Sequence, residues 1–364
     1  MKAIRMDAAL IIAVMVLVTL GVTMVYSASA LNAARYTGDG AFFVKRQILF
    51  ALLGLIVLVA ASMIPYEFWK RSVIPMLLVT IVLLAAVIGP LGHRANGASR
   101  WFRIGPFSVQ VAEFAKLVVV MYMARYLGNR GELVQKEGTY LIRPLFVVSI
   151  MIVLVLMEPD LGTAIFIGLL AVCILFAAGV RISALLGLTL ATLPVIVFLI
   201  ARVGFRMQRI KAFLNPWEEY DGPGFQLVQS FVAFGQGGLF GTGLGSGKSK
   251  LFFLPESHTD FILAVVGEEL GFIGVAITLS LFAVILVQGM KAASKAPDPF
   301  GTLLAAGLTI MIGLQALINC MVALGLLPTK GIPLPFVSYG GSSLIASMAA
   351  AGIVLNVSWA GRTE

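Results

Sequence analysis

The stretch "LPESHTDFILA", residues 254–264, sets two carboxylates, a histidine and a serine against the start of an apolar run. Pro255 suits the first position of a helix, where its missing N–H costs little. Glu256 in the first turn would face the positive end of the helix dipole. A helix begun there puts Glu256 and Asp260 four residues apart on one face. Dipole compensation accounts for Glu256. It accounts less well for Asp260, which stands beyond the first turn with Phe261, Ile262 and Leu263 behind it. A carboxylate at the edge of an apolar span is costly and marks a functional site; one that meets a substrate hydroxyl can act as general base. Ser257, His258 and Asp260 do not make a hydrolase triad, because neighbours on one helix do not converge. Nor does a Gly-x-Ser-x-Gly elbow surround Ser257.

The complementary charges lie upstream. Arg202, Arg206, Arg209 and Lys211 fall within ten residues, where an apolar run ends. One such arginine would read as an interfacial anchor. Four together also suit an anion, a phosphate or diphosphate above all. Lys45, Arg46, Arg100, Arg103 and Lys330 fall on the same side of the chain's alternating spans, so Glu256, His258, Arg206, Arg209, Lys211, Arg46, Arg103 and Lys330 form the candidate substrate-binding set around Asp260. Glu113 and Lys116, three apart inside an apolar run, are expected to neutralise each other. Glu158 and Asp160 flank Pro159 in what reads as a polar turn. Two histidines are too few for a His-rich zinc cage.

A second stretch, "GTGLGSGKSK" at residues 241–250, imitates a phosphate-binding loop. The motif needs a glycine five positions before Gly247, and Thr242 stands there. The loop should also open a helix, whereas Pro255 follows within a few residues. The expectation is a glycine-rich turn at a membrane surface, with Lys248 and Lys250 near headgroups and Gly243 or Gly245 at positive φ.

The elements that must position these residues follow from composition. Of 364 residues 60% are hydrophobic and only 12% charged, against about 45–50% and about 25% in an ordinary globular domain. Such a chain is an integral membrane protein. Its net charge of +9 then points to anionic headgroups or an anionic substrate, not to nucleic acid. Cys173 and Cys320 sit in apolar runs as small hydrophobes. Apolar runs of about 20 residues, the length that spans a bilayer, begin near Ala8, Gln47, Ser72, Val109, Pro144, Leu161, Ser183, Phe261, Gly301 and Gly341. The first exceeds a signal-peptide core and reads as an uncleaved span. The expected fold is one all-α polytopic membrane domain over residues 1–364, with ten transmembrane helices. A large loop, residues 202–260, joins the seventh to the eighth. Its glycines alternate with Phe213, Trp217, Phe225, Phe231, Phe234 and Phe240, which suits segments lying on or dipping into the membrane face. Short loops on the side of the termini carry the more Lys and Arg, which puts both termini in the cytoplasm and the large loop outside.

These blocks resemble the SEDS family (shape, elongation, division and sporulation). The resemblance is carried by the whole stretch from "NPWEEYDGPGF" to "VVGEELG", by "GASRWFRIGPFSVQVAEFAK", by "EPDLGTA" and by "LPTKGIPLPFVSYGGSS", in the family's order and with ten spans. The Gly-Ala-Ser-Arg-Trp, Asn-Pro-Trp-Glu and Pro-Thr-Lys-Gly pieces are closer to its division-type members than to the elongation type. One departure is "SVQVAEF", which lacks the usual proline before Glu113. The resemblance implies a peptidoglycan glycosyltransferase that polymerises lipid II at the outer face of a bacterial cytoplasmic membrane and releases undecaprenyl pyrophosphate. It implies a class B penicillin-binding protein as partner, with other division or elongation membrane proteins, and it maps the family's essential aspartate onto Asp260. A divalent cation, Mg²⁺ or Mn²⁺, is compatible with that chemistry. The rival reading is a lipid II flippase, which would need polar residues strung through the membrane, whereas here they gather at one face. A pure scaffold would leave Asp260 without a task.

Overall fold

The computed structural model describes residues 2–89, 91–95, 98–105, 107–248 and 257–361, so Glu256, Pro255 and Lys250 lie outside the described residues. Helices form at all ten expected places: α1 (Lys2–Thr37), α2 (Phe42–Met63), α3 (Tyr66–Ile88), α4 (Val111–Gly128), then, after a six-residue α5 (Gly131–Lys136), α6 (Ile142–Met157), α7 (Leu161–Ala177) and α8 (Ile182–Ala201). The large loop folds into α9 (Gly204–Leu214) and α10 (Phe225–Gly237), followed by α11 (Ile262–Ser294), α12 (Pro299–Ala323) and α13 (Gly341–Ala360). Eight of these are long and apolar enough to cross a membrane by length and composition. The other two expected spans are α4, which carries Glu113, Lys116 and Arg125, and α7, an apolar helix of 17 residues.

The most buried of the long helices are α12 and α13, with α4, α7 and α11 packed around α12. Glycines let them approach. A Cβ on Gly352 of α13 would stand 2.4 Å from the carbonyl oxygen of Leu58 on α2, and one on Gly307 of α12 would stand 2.6 Å from Val120 of α4. Without a hydrophobic drive between helices in lipid, such close packing is what holds them together. At the other extreme, α8 buries only Leu185 and exposes Leu186, Leu190, Leu193, Val197 and Phe198, a lipid-facing surface.

Between α3 and α4 the chain forms a three-stranded antiparallel sheet, β1 (His93–Ala95), β2 (Ala98–Ile104) and β3 (Phe107–Gln110), which the all-α expectation omits. β3 runs straight into α4. The entry that lacks a proline is fixed from α13 instead, where Ser342 Oγ accepts the Gln110 N–H at 2.9 Å.

Helix α11 is two helices joined at Gly271, whose φ of 68° and ψ of −168° are not helical. A break inside a membrane span must find partners for the backbone groups it frees. Here the glycine-rich loop supplies them. Thr242 N–H donates to Glu268 O (2.9 Å) and Gly243 N–H to Glu269 O (3.1 Å). In the other direction, Phe272 and Ile273 N–H donate to Gly238 O (2.8 Å) and Leu239 O (3.2 Å). The loop then wraps the two fully buried carboxylates. Lys248 N–H donates to Glu268 Oε1 (2.6 Å) and Gly245 N–H to Glu269 Oε2 (3.0 Å), while Ser27 of α1 donates to both Glu269 oxygens at 2.7 Å. Gly243 and Gly245 do take positive φ, 96° and 80°.

"GTGLGSGKSK" therefore uses backbone N–H groups as an anion cradle, and the anions are the chain's own carboxylates. The loop is exposed at residues 242–246, as a surface turn should be, and is at the same time a clasp on the broken helix. The Lys248 side chain is exposed and takes no part in the cradle's backbone contacts. Beside the clasp lies a cavity of about 400 Å³, lined among the described residues by Thr23, Tyr26, Ser27, Ala30, Leu31, Leu244 and Gly245.

Candidate active site

The expected helix beginning at Pro255 does not include Asp260. Residues 257–261 form turns, and α11 starts at Ile262. The reason lies in where the backbone carbonyls are spent. His258 O accepts from Tyr339 N–H (2.9 Å), Thr259 O from Ser338 Oγ (2.6 Å) and Asp260 O from Asn319 Nδ2 (2.9 Å). Three successive carbonyls are thus taken by distant residues. Asp260 projects from a pinned turn, and the one-face pairing with Glu256 falls with the helix that would have made it.

Around Asp260 the loops of one molecular face converge. A Cβ on Gly331 would stand 3.1 Å from Asp260 Oδ2, so the aspartate lies against the backbone of the segment after α12. Arg209 of α9 reaches the same segment, donating from Nη1 to Thr329 O at 3.2 Å, with its guanidinium 4.4 Å over the Phe205 ring. Burial pulls its pKa below the usual range; the charge of Asp260 works against that, and Arg100 adds to it. Lys330 lies along Gly162 at the start of α7, its Cβ and Cδ 3.8 and 3.9 Å from where a Cβ there would sit. Its pKa too is lowered by burial, with Asp160 opposing.

Asp160 caps α7, accepting from Thr163 N–H (3.0 Å) and Thr163 Oγ1 (2.9 Å). Arg100 on β2 grips the adjoining turn through Glu158 O (3.1 Å) and Pro159 O (2.6 Å). The "polar turn" of Glu158 and Asp160 is therefore a wall of the cleft. Two acids, Asp260 and Asp160, each feel a cation, Arg209 and Lys330, in a half-buried setting where charge is less screened than in water.

The remaining candidates separate. Arg206 turns back to its own side of the loop, donating from Nη1 to Leu199 O at 2.8 Å. Lys211 and Arg103 are exposed. Arg46 lies 4.4 Å over Phe42 and hydrogen-bonds Tyr339, whose pKa burial raises against that contact. His258 packs between Phe43 (4.8 Å) and Tyr339 (5.6 Å), an aromatic setting behind the turn. Glu113 and Lys116 do pair, at 2.8 Å, deep in the bundle. Residue-by-residue reading placed Arg100 on this side without choosing it for the site, and missed Asn319, Ser338 and the Glu268–Glu269 pair. Only the last carried a signal of its own, two adjacent carboxylates inside an apolar run.

A bundle of apolar helices with a charged cleft defines a polytopic membrane protein. The chain belongs to the cell cycle protein family of FtsW, RodA and SpoVE, whose model matches residues 7–363, and it is FtsW-like within it. It is 46% identical over 355 residues to a probable peptidoglycan glycosyltransferase FtsW of Geobacter metallireducens, covering 97% of this chain and 95% of that protein. Stage V sporulation protein E of Bacillus subtilis is 40% identical, over 97% and 96% of the two chains. Among solved structures, a chain from a peptidoglycan synthase complex that coordinates polymerization and crosslinking superposes with a TM-score of 0.80 at 28% identity, over 98% of both chains. The rod shape determining protein RodA of Thermus thermophilus gives 0.71 at 28% identity, over 96% of this chain and 95% of that one.

Proposed function

We propose that the protein is a peptidoglycan glycosyltransferase that polymerises lipid II for cell division, working at the outer face of the bacterial cytoplasmic membrane with both termini in the cytoplasm. The observation that carries this reading is the convergence of Asp260, Arg209, Lys330, Asp160 and Arg100 in one cleft, in a chain with close relatives named for that activity. Asp260 takes the proton from the acceptor's sugar hydroxyl as that oxygen bonds to the donor's anomeric carbon. The bond from that carbon to the diphosphate breaks, and its electron pair leaves on undecaprenyl pyrophosphate. Arg209, Lys330 and Arg100 receive that charge with donors already in position. One direct displacement inverts the anomeric centre, so an α-linked donor gives a β-linked strand.

Among the described residues no three His, Cys, Asp or Glu side chains form a metal cage. A Mg²⁺ or Mn²⁺ ion, where bound, would supply charge neutralisation at the substrate's diphosphate; chelation followed by re-addition checks for such a requirement. A crosslinking transpeptidase of the class B penicillin-binding type is the expected membrane partner, alongside other division proteins. The test is purified protein in liposomes with lipid II alone and with its transpeptidase. A ladder of glycan strands on a gel is expected, and lipid II moved between leaflets with no strands formed would favour a transporter.

A further inference from the structure

Asn319 sits on α12 and is 1% exposed. Its Nδ2 donates twice, to Asp260 O at 2.9 Å and to Ile332 O at 2.8 Å. Both neighbours are carbonyl acceptors, so the amide nitrogen must face them. Its Oδ1 meets no donor among the described residues, which leaves the double donation as its polar task. The two carbonyls belong to the two sides of the proposed catalytic cleft. One is on the turn bearing Asp260; the other is on the segment bearing Lys330 and Gly331, whose backbone abuts the Asp260 carboxylate.

One turn earlier on the same face of α12, Gln315 repeats the arrangement. Its Nε2 donates to Pro333 O (3.0 Å) and Ser343 Oγ (3.2 Å), and its Oε1 accepts from Lys116 Nζ at 2.7 Å. Lys116 is in turn held by Glu113 at 2.9 Å. From the other side Ser338 accepts Leu334 N–H (2.8 Å) and donates to Thr259 O. A buried polar ladder thus runs from the Glu113–Lys116 pair through Gln315 to the segment at 332–334, and Asn319 joins that segment to Asp260.

We infer that Asn319 is a positioning residue for Asp260: it fixes the peptide plane of the aspartate and the distance between the aspartate and the Lys330–Gly331 wall. The Glu113–Lys116 pair, beyond neutralising itself, orients the Gln315 rung that holds that wall in place. The role rests on the proposed glycosyl transfer, in which a base displaced by an ångström loses reach to the acceptor hydroxyl. Asn319→Asp keeps the size of the side chain but turns oxygens toward two carbonyl oxygens, and Asn319→Ala removes both donated bonds.

The experiment measures lipid II polymerisation rates against lipid II concentration for the full-length wild type, Asn319→Ala and Asn319→Asp. Each rate is normalised to folded protein from size-exclusion peaks. The expected result is a kcat lower by roughly tenfold or more, the scale of a misplaced catalytic group, with KM within about twofold because no substrate contact is lost. A normalised kcat equal to wild type, or KM rising as much as kcat falls, would overturn the positioning role. If neither variant folds, Ser338→Ala removes the opposite bond to Thr259 O and must show the same kcat-specific loss. A second arm needs no activity: Asp260→Cys is labelled with a water-soluble maleimide with and without Asn319→Ala, the wild type giving the background from Cys173 and Cys320. A labelling rate changed at least about threefold supports the clamp, as expected for a moved side chain, and an unchanged rate contradicts it. Failure of the wild type to make glycan would count against the proposed function while leaving this arm to judge the clamp.

Discussion

Glu158 is fully buried in the α6–α7 turn, and neither of its carboxylate oxygens meets a hydrogen-bond donor among the described residues. Burial first, and the charge of Asp160 second, lift its pKa from 4.5 to about 8, with Arg100 pulling the other way. A carboxyl whose folded-state pKa stands above its unfolded value binds its proton more tightly in the folded protein. Its stabilisation is complete below about pH 4.5 and is lost as pH rises through about 8. Each tenfold gain in proton affinity is worth about 1.4 kcal/mol, so the two plateaus differ by on the order of 5 kcal/mol. Glu158→Gln keeps the shape and never ionises, so it should lack this slope. Thermal unfolding of detergent-solubilised protein, followed by tryptophan fluorescence from pH 5 to pH 9, reads the difference. The two proteins should unfold at nearly the same temperature at pH 5, separate progressively through neutrality with the variant the more stable, and run parallel above about pH 8. Parallel curves across the whole range would refute the reasoning, and so would a variant that loses stability at high pH.

Gly241→Ala should prevent stable folding, because φ is +81° and the added Cβ would stand 2.2 Å from Glu269 O. Gly38→Ala, with φ +74° but nothing within 4 Å, should cost only about 1–2 kcal/mol of strain, as read from yield and melting temperature. Lys248→Ala should polymerise at close to the wild-type rate and bind no ATP in either form, because the residue contributes a backbone N–H that alanine keeps. Arg209→Ala should raise the KM for lipid II and lower kcat by about tenfold or more, in line with lost charge-assisted phosphate contacts. Arg206→Ala, whose side chain turns back toward Leu199 O and away from the Thr329–Lys330 segment that Arg209 reaches, should change either by less than about twofold in the same assay.

The helices were legible because a bilayer demands long apolar runs, although α1, α2 and α3 begin before the apolar runs near Ala8, Gln47 and Ser72. Asp260 was legible as a carboxylate that capping explains poorly. Its conformation was not, because the hydrogen bonds that unwind residues 257–261 come from Asn319 and Ser338, 59 and 79 positions away. The same limit hid the cleft's other wall: Arg100 reaches Glu158 and Pro159 across 58 and 59 residues. The small sheet did leave a signal. Trp101, Phe102, Ile104 and Val109 flank Gly105, whose φ is 60°, as β-strands joined by a tight turn require. The glycine loop was legible as an exposed conformational device and not as a clasp. Its partners, the Glu268 and Glu269 carboxylates, lie in a span whose break at Gly271 no periodicity announces.

The central claim is that Asp260 is the base of a glycosyl transfer at the membrane face, and the most direct measurement is glycan synthesis from lipid II by the Asp260→Asn protein. Asparagine keeps the size and the backbone bonds to Asn319 while removing the proton acceptor. The account predicts that this variant purifies, melts and binds its membrane partner as the wild type does, yet produces no glycan ladder under conditions where the wild type consumes its lipid II. Substantial strands made by a well-folded Asp260→Asn protein would contradict it.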